Sequence, residues 1–443
     1  MAGAVRAAAA ALSPQVEEFA RRSATAVRLE DLYKWGQGDA QTRLRMARFL
    51  HGEIAIRNAQ LCKELRLWPF GLAETQGVSD VVSWFSSYVD RLCESPLPET
   101  PEDERQFTSV LESILEDNTD VVRTLGGGVL EVREALGGAA YEEVRPEVDF
   151  ILDRFFIKRI GLRFLLSHYI ESAAERPGVS GIIHSNVAVG PVLRAAAHEA
   201  QELCRVRYGL APEVEVVGDG LGGPFAIGGS LPETNLTHDR SFTYVPMHLQ
   251  FSCSVLLQNS CFAVAQRHGH GSSPMPPVRA IFAHGEEEVT VKVSDEGGGI
   301  SRSELPLAWS YFCEPQGASD GQVRGRRHSS PLGAGNPIGA GLPLARLHAR
   351  YYGGNLQLKS IEGFGTDAYL FLNRLGQNCE NLPHGVRVSP SMSDSDIGAG
   401  ASIGLDSLGT LNEPEALFLQ QQLREYRAAR QADTSTPLSV LAP

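Results

Sequence analysis

The chain has 443 residues, of which 42% are hydrophobic and 21% are charged, and its formal net charge is −13 at pH 7. This length allows two domains with sizeable cores, and the composition is ordinary for a soluble globular protein. The negative charge argues against nucleic acid as the main partner. The seven cysteines are scattered and form no CxxC pair, which predicts a reducing compartment, no disulfide framework and no zinc site.

The first residues leave two interpretations open. Residues 1–12 are rich in alanine, contain Arg6 and are followed by no acidic residue before Glu17. This composition is typical of an organelle-targeting segment, and it is equally typical of a disordered end. Residues 1–13 are therefore assigned to one or the other.

Residues 14–180 have the periodicity of helices. Apolar residues recur at helical spacing in four long segments that are separated by polar or proline-containing joins. These segments are 42–67, 78–92, 104–125 and 148–172. Four amphipathic helices in succession predict a helical bundle.

Residues 181–380 mix helix and strand patterns. The sequence predicts helices at 191–208, 247–267 and 342–352. It predicts strands at 213–217, 278–284, 288–295, 355–361 and 366–375, the second and third of which form a hairpin across Gly285. Helices and antiparallel strands in separate runs predict the α+β fold class, with an α/β sandwich.

The longest uncharged run, residues 241–266, raises the question of a membrane span. Ser252, Ser254, Gln258 and Asn259 interrupt it, and each would be costly in lipid. A buried or pocket-lining helix is therefore favoured over a span.

The tail, residues 383–443, is predicted to be mostly disordered. Residues 383–410 are rich in serine and glycine. Residues 412–429 have the pattern of one last helix, with Asn412 as its N-cap and Glu413 in its first turn.

Three glycine turns lie between residues 294 and 372. Asp295 precedes three glycines at 297–299, a second turn at 339–342 opens a helix, and the third is 363–366. Glycines let the backbone approach phosphate groups and offer N–H donors to them, and an aspartate can accept the amino group of adenine. The pattern predicts a nucleotide pocket built without a Walker-type loop.

Asn259 lies in the helix predicted at 247–267. Its amide oxygen suits Mg²⁺, a hard ion that prefers oxygen ligands. An isolated asparagine on a helix is more often an ordinary polar residue, so only its order and spacing relative to Asp295 favour a role in metal binding.

The order of Asn259, Asp295-x-Gly-Gly-Gly, Gly339-x-Gly-Leu-Pro and Gly365-Thr-Asp-Ala resembles the Bergerat-type ATPase fold of bacterial histidine kinases and DNA gyrase B. A finer resemblance points to the mitochondrial 2-oxoacid dehydrogenase kinases, which are the kinases of pyruvate dehydrogenase and of branched-chain 2-oxoacid dehydrogenase. The stretches that carry it are 150–154, 159–163, 244–249 and 353–368. The resemblance covers about residues 14–385.

The resemblance implies a four-helix bundle over 14–180 that docks on the lipoyl domain of E2, followed by a Bergerat-type ATP-binding domain over 181–380. It implies a serine/threonine kinase of the mitochondrial matrix, which uses ATP and Mg²⁺ to phosphorylate the E1 subunit of a 2-oxoacid dehydrogenase complex and so inhibits it. Pyruvate dehydrogenase is the favoured substrate. A homodimer is implied, and neither nucleic acid nor a membrane span is expected.

Carried over residue by residue, the resemblance assigns Mg²⁺ to Asn259 and adenine to Asp295. The other residues assigned to ATP binding are Gly297, Gly299, Cys313, Glu314, Gly339, Ala340, Gly341, Leu342 and Thr366. Residues 339–342 would form the phosphate side of the pocket. Cys313 and Glu314 fall where the family's lid usually carries serine and threonine.

Among the positions that depart from the family pattern, two leave the catalytic residues unassigned. Val255 stands four residues before Asn259, where the family has the glutamate that takes the serine proton. Asn118 stands where the family has the histidine that supports this glutamate.

Three functions therefore stay open. The first is an active kinase, because phosphoryl transfer depends mostly on positioning and charge neutralisation. The second is an ATP-binding pseudokinase that acts as a regulatory or docking module. The third, a histidine kinase, would need a phosphoacceptor such as His168, for which a packed or capping role is favoured.

Overall fold

The structure, a computed structural model, describes residues 12–174, 176–218, 242–269, 271, 274–285, 287–312, 339–374, 380 and 387–388. The α-helices of this part are α1 (Pro14–Ala20), α2 (Leu29–Gly36), α3 (Ala40–Arg66), α4 (Gln76–Glu94), α5 (Pro101–Asp117), α6 (Val121–Leu136), α7 (Gly138–Glu171), α8 (Val189–Tyr208), α9 (Pro246–His268) and α10 (Gly341–Tyr351). The strands are β1 (Thr25–Ala26), β2 (Val179–Ser180), β3 (Ile183–His184), β4 (Val214–Gly218), β5 (Val278–His284), β6 (Glu288–Ser294), β7 (Asn355–Ile361), β8 (Gly365–Asn373) and β9 (Arg387–Val388).

Helices α3 to α7 pack against one another around an apolar core. Their starts follow from local chemistry. Asp39 caps α3, since its Oδ1 accepts the N–H of Thr42 at 2.9 Å. Thr100 and Asp103 form a capping box at the start of α5, and Pro101 occupies the first helical position.

The single helix predicted over 104–125 is wrong, because the chain turns between α5 and α6. Asn118 follows α5, and its backbone oxygen accepts hydrogen bonds from Arg159 and Arg163 of α7. The polar residues around Asn118 favour turns over helix interiors. The break therefore depends on contacts with residues more than forty positions away in the sequence.

Helix α7 begins at Gly138 and not at residue 148, as the sequence predicted. It continues through Pro146, a residue that lacks the N–H of a regular helix and usually marks a helix boundary. The turns on both sides of Pro146 are held by packing, since Tyr141 and Val148 are both buried.

Strands β4 to β8 form one mixed sheet in the order β4-β5-β6-β8-β7. Strand β4 pairs with β5 in parallel, and the other neighbours pair antiparallel. Helices α8, α9 and α10 cover one face of the sheet. Alternate residues of β5 are therefore buried on that face and exposed on the other. The predicted hairpin across Gly285 is confirmed, as is the mixture of helix and sheet that defines the α+β class.

The uncharged run becomes α9, in which twelve positions are buried. This confirms the prediction of a buried helix. In the stretches that the structure describes, no helix is both long enough and apolar enough to cross a membrane.

The segment after β8 is tied back to the helical layer. Glu380 pairs with Arg57 of α3 at 2.8 Å and accepts the N–H of Val27 at 2.9 Å. Arg57 also pairs with Glu53 at 2.8 Å. Tyr351 of α10 donates its hydroxyl to the same Glu380 carboxylate. The two halves of the molecule therefore share a buried ion network.

Some sequence predictions lie outside the described residues. They are the targeting segment or disordered end over residues 1–11, the residues Cys313 and Glu314, and the helix over 412–429. Within the predicted tail, the described residues are those of β9, which pairs with β1 in parallel.

Candidate nucleotide-binding site

Asp295 lies buried where the end of β6 meets α9 and β8, with 8% of its surface exposed. Its Oδ1 accepts the N–H groups of Gly297 at 2.9 Å and Thr366 at 3.3 Å. Its Oδ2 accepts the hydroxyl of Ser260 at 2.9 Å. A carboxylate has about four lone-pair positions, so Oδ2 can accept one more donor.

The charge state of Asp295 is set by opposing effects. Burial raises its pKa, whereas the hydrogen bonds from Gly297, Ser260 and Thr366 lower it. All three donors favour the ionised carboxylate, which accepts hydrogen bonds and donates none. The group therefore suits a ligand that presents an amino or amide N–H.

The glycines after Asp295 are required by close packing. A Cβ at Gly297 would lie 2.4 Å from the Cβ of Ala263 in α9. Gly299 has a φ of 70°, and a Cβ there would lie 2.1 Å from the backbone oxygen of Ile361. Both positions exclude any larger residue. The glycine pattern is thus explained by tight packing of the turn as well as by a ligand.

The first and third glycine turns are hydrogen-bonded to each other. The N–H of Gly298 donates to the oxygen of Phe364 at 3.0 Å, and the N–H of Gly363 donates to the oxygen of Gly298 at 2.7 Å. Arg267 of α9 donates to the oxygens of Phe364 at 2.8 Å and Gly363 at 2.7 Å. Asp295 and these two turns together form what we call the adenine edge.

Neighbouring residues of α9 point in different directions. Ser260 is buried and faces Asp295, whereas Asn259 is exposed. Successive helical residues are rotated by about 100° around the helix axis, so the two side chains lie on different faces of α9. The Asn259 amide is thus beside the adenine edge and open to a ligand.

The second glycine turn lies beside Val255. Gly339 and Ala340 precede α10, and a Cβ at Gly341 would lie 3.3 Å from Cγ1 of Val255. Val255 itself is 1% exposed. The first turn of α10, which includes Leu342, has backbone N–H groups that no earlier helical turn satisfies, as at any helix start. We call this start of α10, with Val255, the phosphate edge.

Asn118 has its polar contacts with α7. Its Oδ1 accepts the Nε–H of Arg159 at 3.0 Å, and its side chain is fully buried. Burial, and then the charge of Arg163, lower the pKa of Arg159 to about 9, so the guanidinium remains charged at neutral pH. Asn118 therefore orients a buried cation.

His168 is packed, as the sequence favoured. It is fully buried, and its Nε2 lies 2.9 Å from the backbone oxygen of Leu32. Burial lowers its pKa to about 4. A fully buried imidazole is not accessible as a phosphoacceptor.

Two polar contacts beside the site were missed by sequence reasoning. Ser260 is adjacent to Asn259, and a helical wheel of α9 could have placed it on the buried face. The hydroxyl of Ser254 donates to Glu199 of α8 at 3.0 Å, which puts an acidic side chain next to the residue that precedes Val255. Glu199 is 55 positions away, so no local pattern indicated it.

Comparison with known proteins finds relatives over most of the chain. A family model described as mitochondrial branched-chain alpha-ketoacid dehydrogenase kinase matches residues 26–184. A mitochondrial pyruvate dehydrogenase (acetyl-transferring) kinase of Arabidopsis thaliana is 34% identical over 80% of this chain and 96% of its own length. The corresponding kinase of Drosophila melanogaster is 30% identical over 84% of this chain and 87% of its own. The human isozyme 4 is 28% identical over 83% and 86%.

Proposed function

Because the chain belongs to the mitochondrial 2-oxoacid dehydrogenase kinase family, we propose that it is a mitochondrial protein serine/threonine kinase. Its proposed substrate is the E1 subunit of a 2-oxoacid dehydrogenase complex, which phosphorylation would inhibit. Relatives named as pyruvate dehydrogenase kinases over most of the chain favour pyruvate dehydrogenase as that substrate. The matrix is the proposed compartment, as the resemblance implies.

The observation that carries this proposal is the state of Asp295. Three protein donors hold its carboxylate, and Oδ2 retains the capacity for one more. An adenine amino group would donate this remaining hydrogen bond to Oδ2. Gly297 and Gly299 would hold the loop that faces the base, and Thr366 would lie beside it.

Asn259 and the residues of the phosphate edge fit MgATP. The exposed Asn259 offers an amide oxygen, which is a ligand type that Mg²⁺ prefers. Gly339, Ala340, Gly341 and Leu342 would present backbone N–H groups at the start of α10 to the phosphates. Bound Mg²⁺ would neutralise phosphate charge during transfer.

Phosphoryl transfer would proceed without an acidic side chain at position 255. Val255 has no proton-accepting atom, and it packs against Gly341. A general base typically contributes ~10²–10⁴-fold to a rate, whereas most of the catalysis of phosphoryl transfer comes from positioning and charge neutralisation. We expect a kinase that is slower than relatives that have the glutamate.

The pseudokinase alternative depends on Val255 and Asn118. The relatives that match most of the chain are named as kinases, and no comparison supports the alternative. The active kinase is therefore the proposed function.

The finer organisation is part of the same proposal. Residues 14–180 would be a four-helix bundle that docks on the E2 lipoyl domain, with its third helix broken into α5 and α6. The mutual packing of α3 to α7 supports a helical bundle. Residues 181–380 would be a Bergerat-type ATP domain, which the five-stranded sheet with helices on one face supports. The homodimer and the lipoyl contact rest on the resemblance alone.

The test is a phosphotransfer assay with the full chain. Labelled MgATP is incubated with the protein and with E1 of pyruvate dehydrogenase or of branched-chain 2-oxoacid dehydrogenase. We expect label on serine of the pyruvate dehydrogenase E1, a parallel loss of dehydrogenase activity, and no transfer by an Asp295→Ala variant. ATP binding without any transfer to either E1 would overturn the proposal.

A further inference from the structure

Residues Ser310, Tyr311 and Phe312, which we call the bridge segment, lie between the helical layer and the phosphate edge. The hydroxyl of Tyr311 donates to Oδ1 of Asp153 at 2.6 Å, and its N–H donates to Oδ1 of Asp149 at 3.0 Å. Both carboxylates belong to α7. The Tyr311 side chain is 1% exposed, so these bonds are shielded from water.

The bridge segment is held from further directions. The ring of Tyr311 stacks on Phe156 of α7 with 5.3 Å between the ring centroids. Arg145 donates its Nη1–H to the hydroxyl of Ser310 at 3.0 Å. These contacts fix the segment against the helical layer in both position and direction.

The other side of the bridge segment binds the phosphate edge. The N–H of Phe312 donates to the backbone oxygen of Gly339 at 2.7 Å. Gly339 directly precedes Ala340 and the first turn of α10. A continuous path of contacts therefore runs from the two carboxylates through Tyr311 and Phe312 to the turn proposed to hold phosphate.

Phe312 adopts a backbone angle that only strong neighbouring contacts maintain. Its φ is 57°, a value that costs a non-glycine residue roughly 1–3 kcal/mol. Its ring lies against Gly126 of α6, where a Cβ would come within 2.8 Å of the ring. The strained residue is also the one whose N–H donates to Gly339, so the strain and this hydrogen bond occur at the same residue.

The bridge segment is held by two largely buried carboxylates, and burying a carboxylate costs free energy. Burial raises the pKa of Asp149 to about 6 and raises the pKa of Asp153 as well, against the effect of their hydrogen bonds to the bridge segment. Arg145 lies near Asp149, while Arg350 and Arg346 of α10 offset the charge of Asp153. Apolar packing would hold a loop at lower cost, whereas hydrogen-bond acceptors set its direction.

We propose that Asp149 and Asp153 are positioning residues for phosphoryl transfer, because they hold Tyr311 where Phe312 can align the turn before α10 with the phosphates. This inference rests on the proposed kinase function. A cavity of about 240 Å³ beside the bridge segment, lined by Arg145, Trp309 and Arg346 among others, gives the segment room to shift when these bonds are lost.

The test compares Tyr311→Phe with a matched control in the full chain. Tyr369→Phe also removes a tyrosine–aspartate hydrogen bond, the one from Tyr369 to Asp367 at 3.2 Å, but on the outer face of the sheet. Binding of ATP and of adenosine is measured by calorimetry, and kcat and KM for ATP are measured by phosphotransfer to E1.

We expect Tyr311→Phe to weaken ATP binding about tenfold and to lower kcat about tenfold, because a hydrogen bond to a charged group in the positioning path is lost. Adenosine binding should stay within about twofold of the parent, since the adenine edge is not part of this path. Tyr369→Phe should match the parent in all of these measurements.

A second pair of variants covers the case in which Tyr311→Phe is less stable than its control. Asp153→Asn keeps an oxygen that can accept the Tyr311 hydroxyl, and Asp153→Leu does not. We expect Asp153→Asn to bind ATP several times more tightly than Asp153→Leu, with equal adenosine binding. Equal ATP binding by the two would overturn the inference.

Two further outcomes separate this inference from the proposed function. A parent that transfers phosphate to E1 while Tyr311→Phe behaves like Tyr369→Phe would overturn the inference alone. So would an equal loss of ATP and adenosine binding in Tyr311→Phe, which indicates general loosening of the domain. A parent that binds neither ligand would overturn the proposed function and this inference with it.

Discussion

The adenine edge and the phosphate edge are both built on α9, yet they satisfy their polar groups differently. At the adenine edge, Ser260 donates to a buried carboxylate that also holds two backbone N–H groups. At the phosphate edge, Val255 contributes only methyl groups against Gly341. One helix therefore presents a polar side chain to a buried carboxylate at position 260 and only methyl groups at position 255. If the proposed site is correct, nucleotide binding can be retained while the residue at position 255 changes.

The largest expected effect is at the adenine edge. Asp295→Ala removes the proposed acceptor for adenine. It also leaves the N–H groups of Gly297 and Thr366 and the hydroxyl of Ser260 without this partner. We expect ATP affinity to fall by about 100-fold, which corresponds to roughly 3 kcal/mol for a charged hydrogen-bond partner. Calorimetric titration measures this. An unchanged Kd would refute the assignment of the adenine edge.

The next effect is at the phosphate edge and concerns rate. Val255→Glu supplies the missing carboxylate, and we expect kcat to rise by about tenfold. This rise is smaller than the usual contribution of a general base, because Asn118 stands where the family has the histidine that supports the glutamate. Val255→Gln is the matched control, since it has the same shape and cannot act as a base. Equal rates for the two variants would mean that proton transfer does not limit this enzyme.

A smaller effect tests how strongly α9 orients the Asp295 carboxylate, to which adenine binding is proposed. Ser260→Ala removes one of the three donors to Asp295 and should weaken ATP binding by about fivefold, or roughly 1 kcal/mol. Ser254→Ala is the control, because Ser254 is also buried on α9 but donates to Glu199. Similar losses in both variants would indicate a general effect on the helix.

The smallest effect is on stability and concerns the support of the phosphate edge. Burial raises the folded-state pKa of Asp149 to about 6, above its usual value of 3.8. The folded state therefore binds this proton more tightly than the unfolded state does. The resulting stabilisation is present in full below pH 3.8 and is lost as the pH rises through 6.

Asp149→Asn removes this titration and keeps an oxygen for the Tyr311 N–H. Relative to the parent, the variant should gain about 1 kcal/mol between pH 4 and pH 7, after allowance for solvent screening of a partly exposed group. Denaturant unfolding at several pH values measures the difference. A difference that does not change with pH would show that Asp149 titrates normally.

Local patterns were enough to predict the sheet strands and the glycine turns. The hairpin of β5 and β6 follows from two short strand patterns, of which that of β6 alternates, on either side of Gly285. The prediction at Asp295 follows from a turn in which Gly297 and Gly299 admit no larger residue. The break at Asn118 has a local signal in the polar residues around it, but the bonds from Arg159 and Arg163 that hold it come from another helix and could not be predicted. Patterns within a few residues therefore predict secondary structure and turns, whereas contacts between elements that are distant in the sequence cannot be predicted from such patterns.

The same limit applies to the site. Asn259 and Asp295 were predicted from motif order, and the structure brings their neighbourhoods together through Ser260. The contacts of Tyr311 with Asp149 and Asp153 join residues about 160 positions apart, so no spacing rule could have indicated them. Cys313 and Glu314 stay predictions.

The ion pair between Glu380 and Arg57 joins residues 323 positions apart. A fragment that stopped at β8 would leave Arg57 with Glu53 and the backbone oxygen of Thr25, and would leave the N–H of Val27 without the Glu380 carboxylate. Removing one partner of a buried ion pair costs roughly 3–5 kcal/mol, a large share of the stability of most proteins. We therefore expect neither the helical layer nor the sheet domain to be fully stable without the other. An engineer who grafts this nucleotide pocket onto another scaffold would have to move α3 with it.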